Sequence, residues 1–147
     1  MNMIRKSEIR DIDALMAVWL SANLDAHAFV PETYWKQHIP EVREQLLQAE
    51  IWVYETDGIL QGFAGLQGDY LAGIFVKKEA RSAGIGHQLL EHIKARHPGL
   101  SLHVYQKNSR AVKFYKREGF SVLTEGTDAD TGEKDYTMGW NHSLAGL

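Results

Sequence analysis

The sequence predicts an α/β domain built on one mixed sheet with helices on both faces. Two strand-like runs, residues 51–56 and 59–66, flank Asp57-Gly58, the strongest short-range hairpin signal. Apolar residues at Ile85, Leu89 and Ile93 recur at helical spacing between strand-like residues 70–76 and 100–105, giving a strand–helix–strand unit. Length and composition agree: 147 residues, 44% hydrophobic and 24% charged, suit one globular domain with its own core. The domain is expected over residues 1–140, with 141–147 as an unstructured tail.

Residues 4–8 alternate weakly between apolar and polar, as a short strand does. Asp11 is a candidate N-cap for a first helix carrying Ile12, Leu15, Met16 and Trp19 on one face. Residues 21–30 show little periodicity and read either as an exposed connection or as a frayed helix end. A second helix begins near Pro31, and Pro40 should break it into two pieces. After the hairpin, residues 70–76 are nearly continuously apolar and bounded by Gly68-Asp69 and Lys77-Lys78, as expected of a central strand. A helix over 84–97 stops at Pro98-Gly99, and a strand follows over 100–105. Ser109 is a suitable cap for a short helix through Val112, Tyr115 and Lys116, ended by Gly119 in a left-handed C-cap. Strands at 120–123 and 135–140 enclose a polar loop.

Charge and cysteine content narrow the chemistry. With 16 Lys plus Arg against 19 Asp plus Glu, the net charge is −3, which disfavours nucleic acid as a partner. Cysteine is absent, which removes disulfides, thiolate metal sites and cysteine nucleophiles together. No run approaches the roughly 18 apolar residues of a membrane span. Residues 1–13 are charged where a signal peptide is apolar, so a cytoplasmic location without membrane contact is expected. No metal is expected either, because Asp128-x-Asp130-x-Gly132 lacks the third ligand and glycine placement of a calcium loop.

Arg81-Ser82-Ala83-Gly84-Ile85-Gly86 follows a strand and opens a helix. The first amides of that helix are free and carry about half a positive charge, which favours phosphate. Glycines at 84 and 86 admit close backbone approach, and Arg81 adds a charged donor. Three nucleotide motifs fail. Gly86 is followed by His87-Gln88 rather than the Lys-Ser/Thr of a P-loop. A dinucleotide turn needs a third glycine where Leu89 stands, and the kinase glycine loop belongs to a hairpin rather than a helix start. A phosphate ligand of another kind remains.

Val76 with Arg81-x-x-Gly84-x-Gly86, followed by Asn108-x-x-Ala111-x-x-Phe114-Tyr115-x-x-x-Gly119-Phe120, resembles the Gcn5-related N-acetyltransferases over nearly the whole chain. Within that family it is most similar to small bacterial enzymes that acetylate protein amines. The resemblance implies a central mixed, mostly antiparallel sheet of about seven strands and acetyl-CoA as co-substrate, lying in a splay between the fourth and fifth strands. It assigns the pantetheine arm to the backbone of Ile74, Phe75 and Val76. It places the pyrophosphate over Arg81, Ser82, Ala83, Gly84, Ile85 and Gly86, where the glycine turn already points. Asn108 would contact the cofactor near the pantetheine, although Asn also suits the start of a helix. Tyr115 matches the general acid that protonates the departing sulfur, a role compatible with a phenol near 10 facing a thiol near 8.5.

The general base departs from the family pattern, since His103 stands where enzymes acting on protein N-termini carry Glu. Imidazole is chemically suited to the role, and alternation puts His103 and Tyr105 on one strand face. Asp69, Tyr70 and His27 are the other candidates. His27, Phe29 and Tyr70 are expected to contact the acceptor, while Trp35 and Phe114 read as packing residues. Acceptor chemistry sets how strong a base is needed. Deprotonating a lysine amine at pH 7 costs ~4.6 kcal/mol against ~1 kcal/mol for an α-amine. Direct attack of a protein amine on acetyl-CoA in a ternary complex is the expected reaction. A small-molecule amine acetyltransferase and a non-catalytic acyl-CoA sensor are the alternatives.

Overall fold

The computed structural model describes residues 1–81 and 83–142; Ser82 and the tail residues 143–147 lie outside them. Strands β1 (Asn2–Lys6), β2 (Glu50–Thr56), β3 (Ile59–Gln67), β4 (Tyr70–Val76), β5 (Gly99–Tyr105), β6 (Ser121–Thr127) and β7 (Lys134–Asn141) form one sheet in the order β1-β2-β3-β4-β5-β7-β6. Every neighbouring pair is antiparallel except β4 and β5, which are parallel. Helices α1 (Ile12–Ala26), α2 (Glu32–Gln37) and α3 (Ile39–Gln48) cover one face, and α4 (Ile85–Lys94) and α5 (Ser109–Arg117) cover the other.

Strand alternation divides the core. On β5, Leu100, Leu102 and Val104 are buried with Leu89, Leu90 and Ile93 of α4. Ser101, His103 and Tyr105 occupy the opposite face, where Tyr105 packs against the cluster of Leu15, Trp19, Trp35 and Phe63. The β2–β3 hairpin turns through Asp57 at φ 51° and Gly58 at φ 82°, the paired positive angles of a turn whose twist matches its strands. Pro40 does divide the second helix: α2 ends at Gln37, and Pro40 sits in the first turn of α3, where its missing N–H costs nothing.

Several boundaries differ from expectation or decide between its alternatives. β1 begins two residues earlier than residue 4, because Asn2 and Met3 pair with Thr56 and Glu55. Residues 21–26 are helical, and α1 ends only at Ala26. Asn108, not Ser109, caps α5, its Oδ1 accepting from the Ala111 N–H at 3.3 Å. β6 runs on to Thr127 because residues 124–127 pair with β7, and ladder pairing overrides their weak strand propensity. At the expected tail, Asn141 belongs to β7. No helix among the described residues is long and apolar enough to cross a membrane.

Candidate active site

The parallel pair β4–β5 is held by a single register match, Tyr70 to Ser101, supported by the Ser101 N–H donating to the Asp69 carbonyl at 3.0 Å. Beyond that point the strands diverge. The divergence opens a cleft of about 300 Å³ lined by Ala72 to Phe75 on one side and His103 to Tyr105 on the other, with Asn108 and Tyr115 at its wall. On the side facing this gap β4 has no strand partner beyond Tyr70, while its other edge pairs with β3. Phe75 packs on Phe63 at 5.0 Å between centroids, its ring lying over Gly73, where a Cβ would fall 2.5 Å from it.

The glycine turn enters α4 with Gly84 at φ 78°, the left-handed conformation that glycine adopts without a Cβ penalty. A Cβ on Gly86 would fall 3.2 Å from the Phe114 ring, so this glycine lets the start of α4 lie against α5. Ala83 and Gly84 are exposed, and the first amides of a ten-residue helix face outward from them. An anionic group fits this cradle. Arg81 is not idle there: its guanidinium pairs with Asp25 at the end of α1, and that pairing holds the Asp25 carboxyl below its usual range.

Tyr115 is 7% exposed and stacks edge-on between Phe114 and Phe120. Burial pushes its phenol up, while a hydrogen bond with the Ile74 backbone opposes the shift; it therefore stays protonated at physiological pH. His103 and Tyr70 meet across the base of the splay, with Nδ1 and Oη 2.9 Å apart. Burial raises the Tyr70 phenol, and the nearby Asp135 carboxylate raises it further.

His27 lines the cleft beside Asn108. Asn108 Nδ2 lies 3.1 Å from its Nε2, and its Nδ1 lies 3.0 Å from Asn23 Oδ1. Trp35 stacks on the ring at 5.2 Å between centroids, and Phe29 and Tyr105 meet it edge-on. Phe29 is part of this aromatic packing and does not line the cleft, and Tyr70 meets it only through His103. Phe114 packs against the α4–α5 core, and Trp35, although it lines the cleft, is 8% exposed; both agree with packing roles.

Sequence reasoning missed two carboxylates that line the cleft, Asp128 and Asp135. Asp128 accepts the Tyr105 hydroxyl at 2.7 Å and the Asp130 N–H at 2.8 Å, which explains the Asp-x-Asp run as a turn. Asp135 is the register partner of Tyr105. Alternation along β7 puts it on one face with Thr137, and the register with β5 makes that the His103 face. Among the described residues the cleft lining contains no Lys or Arg. His87, Glu91 and Glu118 also gather their ligand-type atoms within 4.8 Å of one another, outside the cleft, where His87 Nδ1 and Glu118 Oε1 lie 2.7 Å apart.

The family model described as an acetyltransferase (GNAT) domain matches residues 48–122. The chain belongs to this family. It is 37% identical to the peptidyl-lysine N-acetyltransferase YiaC of Escherichia coli over 140 residues, 94% of this chain and 96% of that protein. The solution structure of apo YjaB from Escherichia coli superposes with a TM-score of 0.85 at 27% identity, covering 95% of this chain and 97% of that one. The PaiA N-acetyltransferase of Thermoplasma acidophilum, solved in complex with coenzyme A, shares the fold with a TM-score of 0.81 at 24% identity, covering 97% and 99%. This chain is accordingly an acyltransferase of the GNAT family.

Proposed function

We propose that this enzyme acetylates the side-chain amine of protein lysines by direct attack in a ternary complex. The observation that carries the reading is the cleft itself. Aromatic and small walls, two carboxylates and no cation among its described lining residues suit an alkyl ammonium, and the same cleft reaches Tyr115 and the free edge of β4. The naming of YiaC and YjaB as peptidyl-lysine N-acetyltransferases supports it.

In this reading the backbone of Ile74, Phe75 and Val76 pairs with the pantetheine arm as an added strand. The turn from Arg81 through Ser82, Ala83, Gly84 and Ile85 to Gly86 holds the pyrophosphate by free amides, and Asn108 contacts the cofactor from the opposite wall. Asp135 and Asp128 attract the cationic acceptor. His103, donating Nδ1–H to Tyr70, keeps Nε2 free to take the proton that the ammonium must lose. The amine then forms the C–N bond as the C–S bond breaks. The Tyr115 hydroxyl gives its proton to the leaving sulfur, so the thiol departs neutral, and the second proton that the nitrogen sheds as the amide forms restores the phenol. With no cysteine in the chain, no acyl-cysteine relay operates.

The test is an unbiased acceptor screen: acetyl-CoA and enzyme are mixed with a denatured proteome and with synthetic peptides, and the acetylated positions are mapped by mass spectrometry. Lysine Nζ acetylation is expected. Modification confined to α-amines or to free small amines overturns the lysine reading.

A further inference from the structure

We infer that the last turn of α1 positions the cofactor-contacting residues, with His27 orienting Asn108 and Asp25 orienting Arg81. The inference rests on the cofactor roles proposed above for Asn108 and Arg81, and adds what holds those two side chains in place.

The polar atoms of the His27 chain are all accounted for. Asn23, buried on α1, donates Nδ2 to the Trp19 carbonyl at 2.9 Å, which leaves its Oδ1 as the acceptor facing His27. His27 Nδ1 therefore carries the proton and donates it to Asn23 at 3.0 Å. Nε2 is then a bare acceptor, and Asn108 Nδ2 donates to it at 3.1 Å. With its amide nitrogen committed to His27, Asn108 presents Oδ1 to the Ala111 N–H, which is the cap of α5. Each bond fixes the orientation of the next group, so one tautomer of His27 selects one face of the Asn108 amide. The opposite amide orientation would set Oδ1 against the bare Nε2 and an N–H against the Ala111 N–H, two repulsions at once.

The environment keeps the imidazole in that state. Trp35, Phe29 and Tyr105 surround the ring, and burial holds it neutral, down to about 4. Two residues earlier, Asp25 receives Arg81 on one side and lies 3.8 Å from Lys78 on the other. The α1 terminus thus touches both walls of the splay, the turn before α4 and the start of α5. Neither His27 nor Asp25 touches the reacting atoms in this arrangement, so both are positioning residues.

The test compares His27→Phe with His27→Gln. Phe keeps the aromatic packing but removes both hydrogen bonds. Gln sets a carbonyl oxygen near the Nε2 position and restores the acceptor for Asn108. Acetyl-CoA affinity by calorimetry is expected to fall about tenfold in His27→Phe and to return to within about twofold of wild type in His27→Gln, the size of one hydrogen bond to a positioned amide. The kcat at saturating acetyl-CoA should change by less than about threefold in either variant, since no transition-state contact is lost. Asp25→Asn should weaken acetyl-CoA binding without lowering kcat. In parallel, ¹⁵N NMR of the wild-type imidazole is expected to report protonated Nδ1 and unprotonated Nε2, unchanged between pH 5 and 8. Wild-type affinity in His27→Phe, an equal loss in His27→Gln, or an Nε2–H tautomer each overturns the inference. The NMR experiment needs no ligand, so a wild-type enzyme that fails to bind acetyl-CoA would refute the proposed function separately from the tautomer.

Discussion

Replacing Tyr115 with Phe removes one hydroxyl from a ring that is otherwise held by packing. The contacts with Phe114 and Phe120, at 5.2 and 5.5 Å between centroids, survive the change. The stability loss is then limited to one hydrogen bond with the Ile74 backbone, about 1 kcal/mol. The loss in rate is larger. At pH 7 a thiol near 8.5 that leaves as thiolate carries a penalty of about 1.5 units, or ~2 kcal/mol, a factor of about 30 in rate. Burial of the Tyr115 ring, 7% exposed, enlarges that factor, because a thiolate beside it is poorly solvated. General-acid contributions reach 10²–10⁴, so kcat should fall about 30- to 1,000-fold while the acetyl-CoA KM stays within about threefold. Initial rates of CoA release, read with a thiol reagent, measure this without background because the chain has no cysteine. Near-UV circular dichroism checks the fold. An unchanged kcat, or a loss expressed wholly in KM, would remove Tyr115 as the proton donor.

Three further outcomes follow from the same structure. Acetyl-CoA at 100 times its Kd should stabilise the fold by ~2.7 kcal/mol and raise Tm by about 5–11 °C; an unmoved melt contradicts cofactor binding at the splay. Gly84→Ala, at φ 78° with nothing nearer than Gln88 at 3.8 Å, should cost about 1 kcal/mol purely from backbone strain, lowering Tm by about 2–4 °C; a wild-type melt would contradict the left-handed turn. His27 has a folded pKa below its unfolded one, so as pH falls from 6.5 to about 4 the unfolded chain takes up the proton first. That term should lower stability by up to about 3 kcal/mol across this window and vanish above it, and urea-derived stability of His27→Gln should lack this part of the slope. Parallel profiles for the two proteins contradict it.

Much of the fold was legible because its strongest local signals agreed with the tertiary structure. Asp57-Gly58 turned the hairpin it announced, and Ile85, Leu89 and Ile93 were buried together on α4. The glycine turn was legible as the entry into α4, which Gly84 makes in the left-handed conformation. Less legible were features made by distant pairing. Residues 124–127 became strand only through β7, and Asp135 reached the cleft only through its register opposite Tyr105. The hydrogen-bond partners of His27 were hidden, because an isolated histidine shows no sign of them. Asn108 lies 81 residues away, and only the folded chain sets them 3.1 Å apart.

The single register match between Tyr70 and Ser101 leaves two unpaired strand edges in the middle of a seven-stranded sheet rather than at its margins. Unpaired edges recruit other strands, and in the proposed function the recruited strand is the pantetheine arm. Proteins usually guard an edge with charge or proline, yet residues 72–76, Ala-Gly-Ile-Phe-Val, have neither. The geometry that makes the splay receptive to a pantetheine arm also makes it receptive to a neighbouring chain. Self-association on heating should therefore begin at β4, and co-substrate supply should act on solubility as well as on turnover.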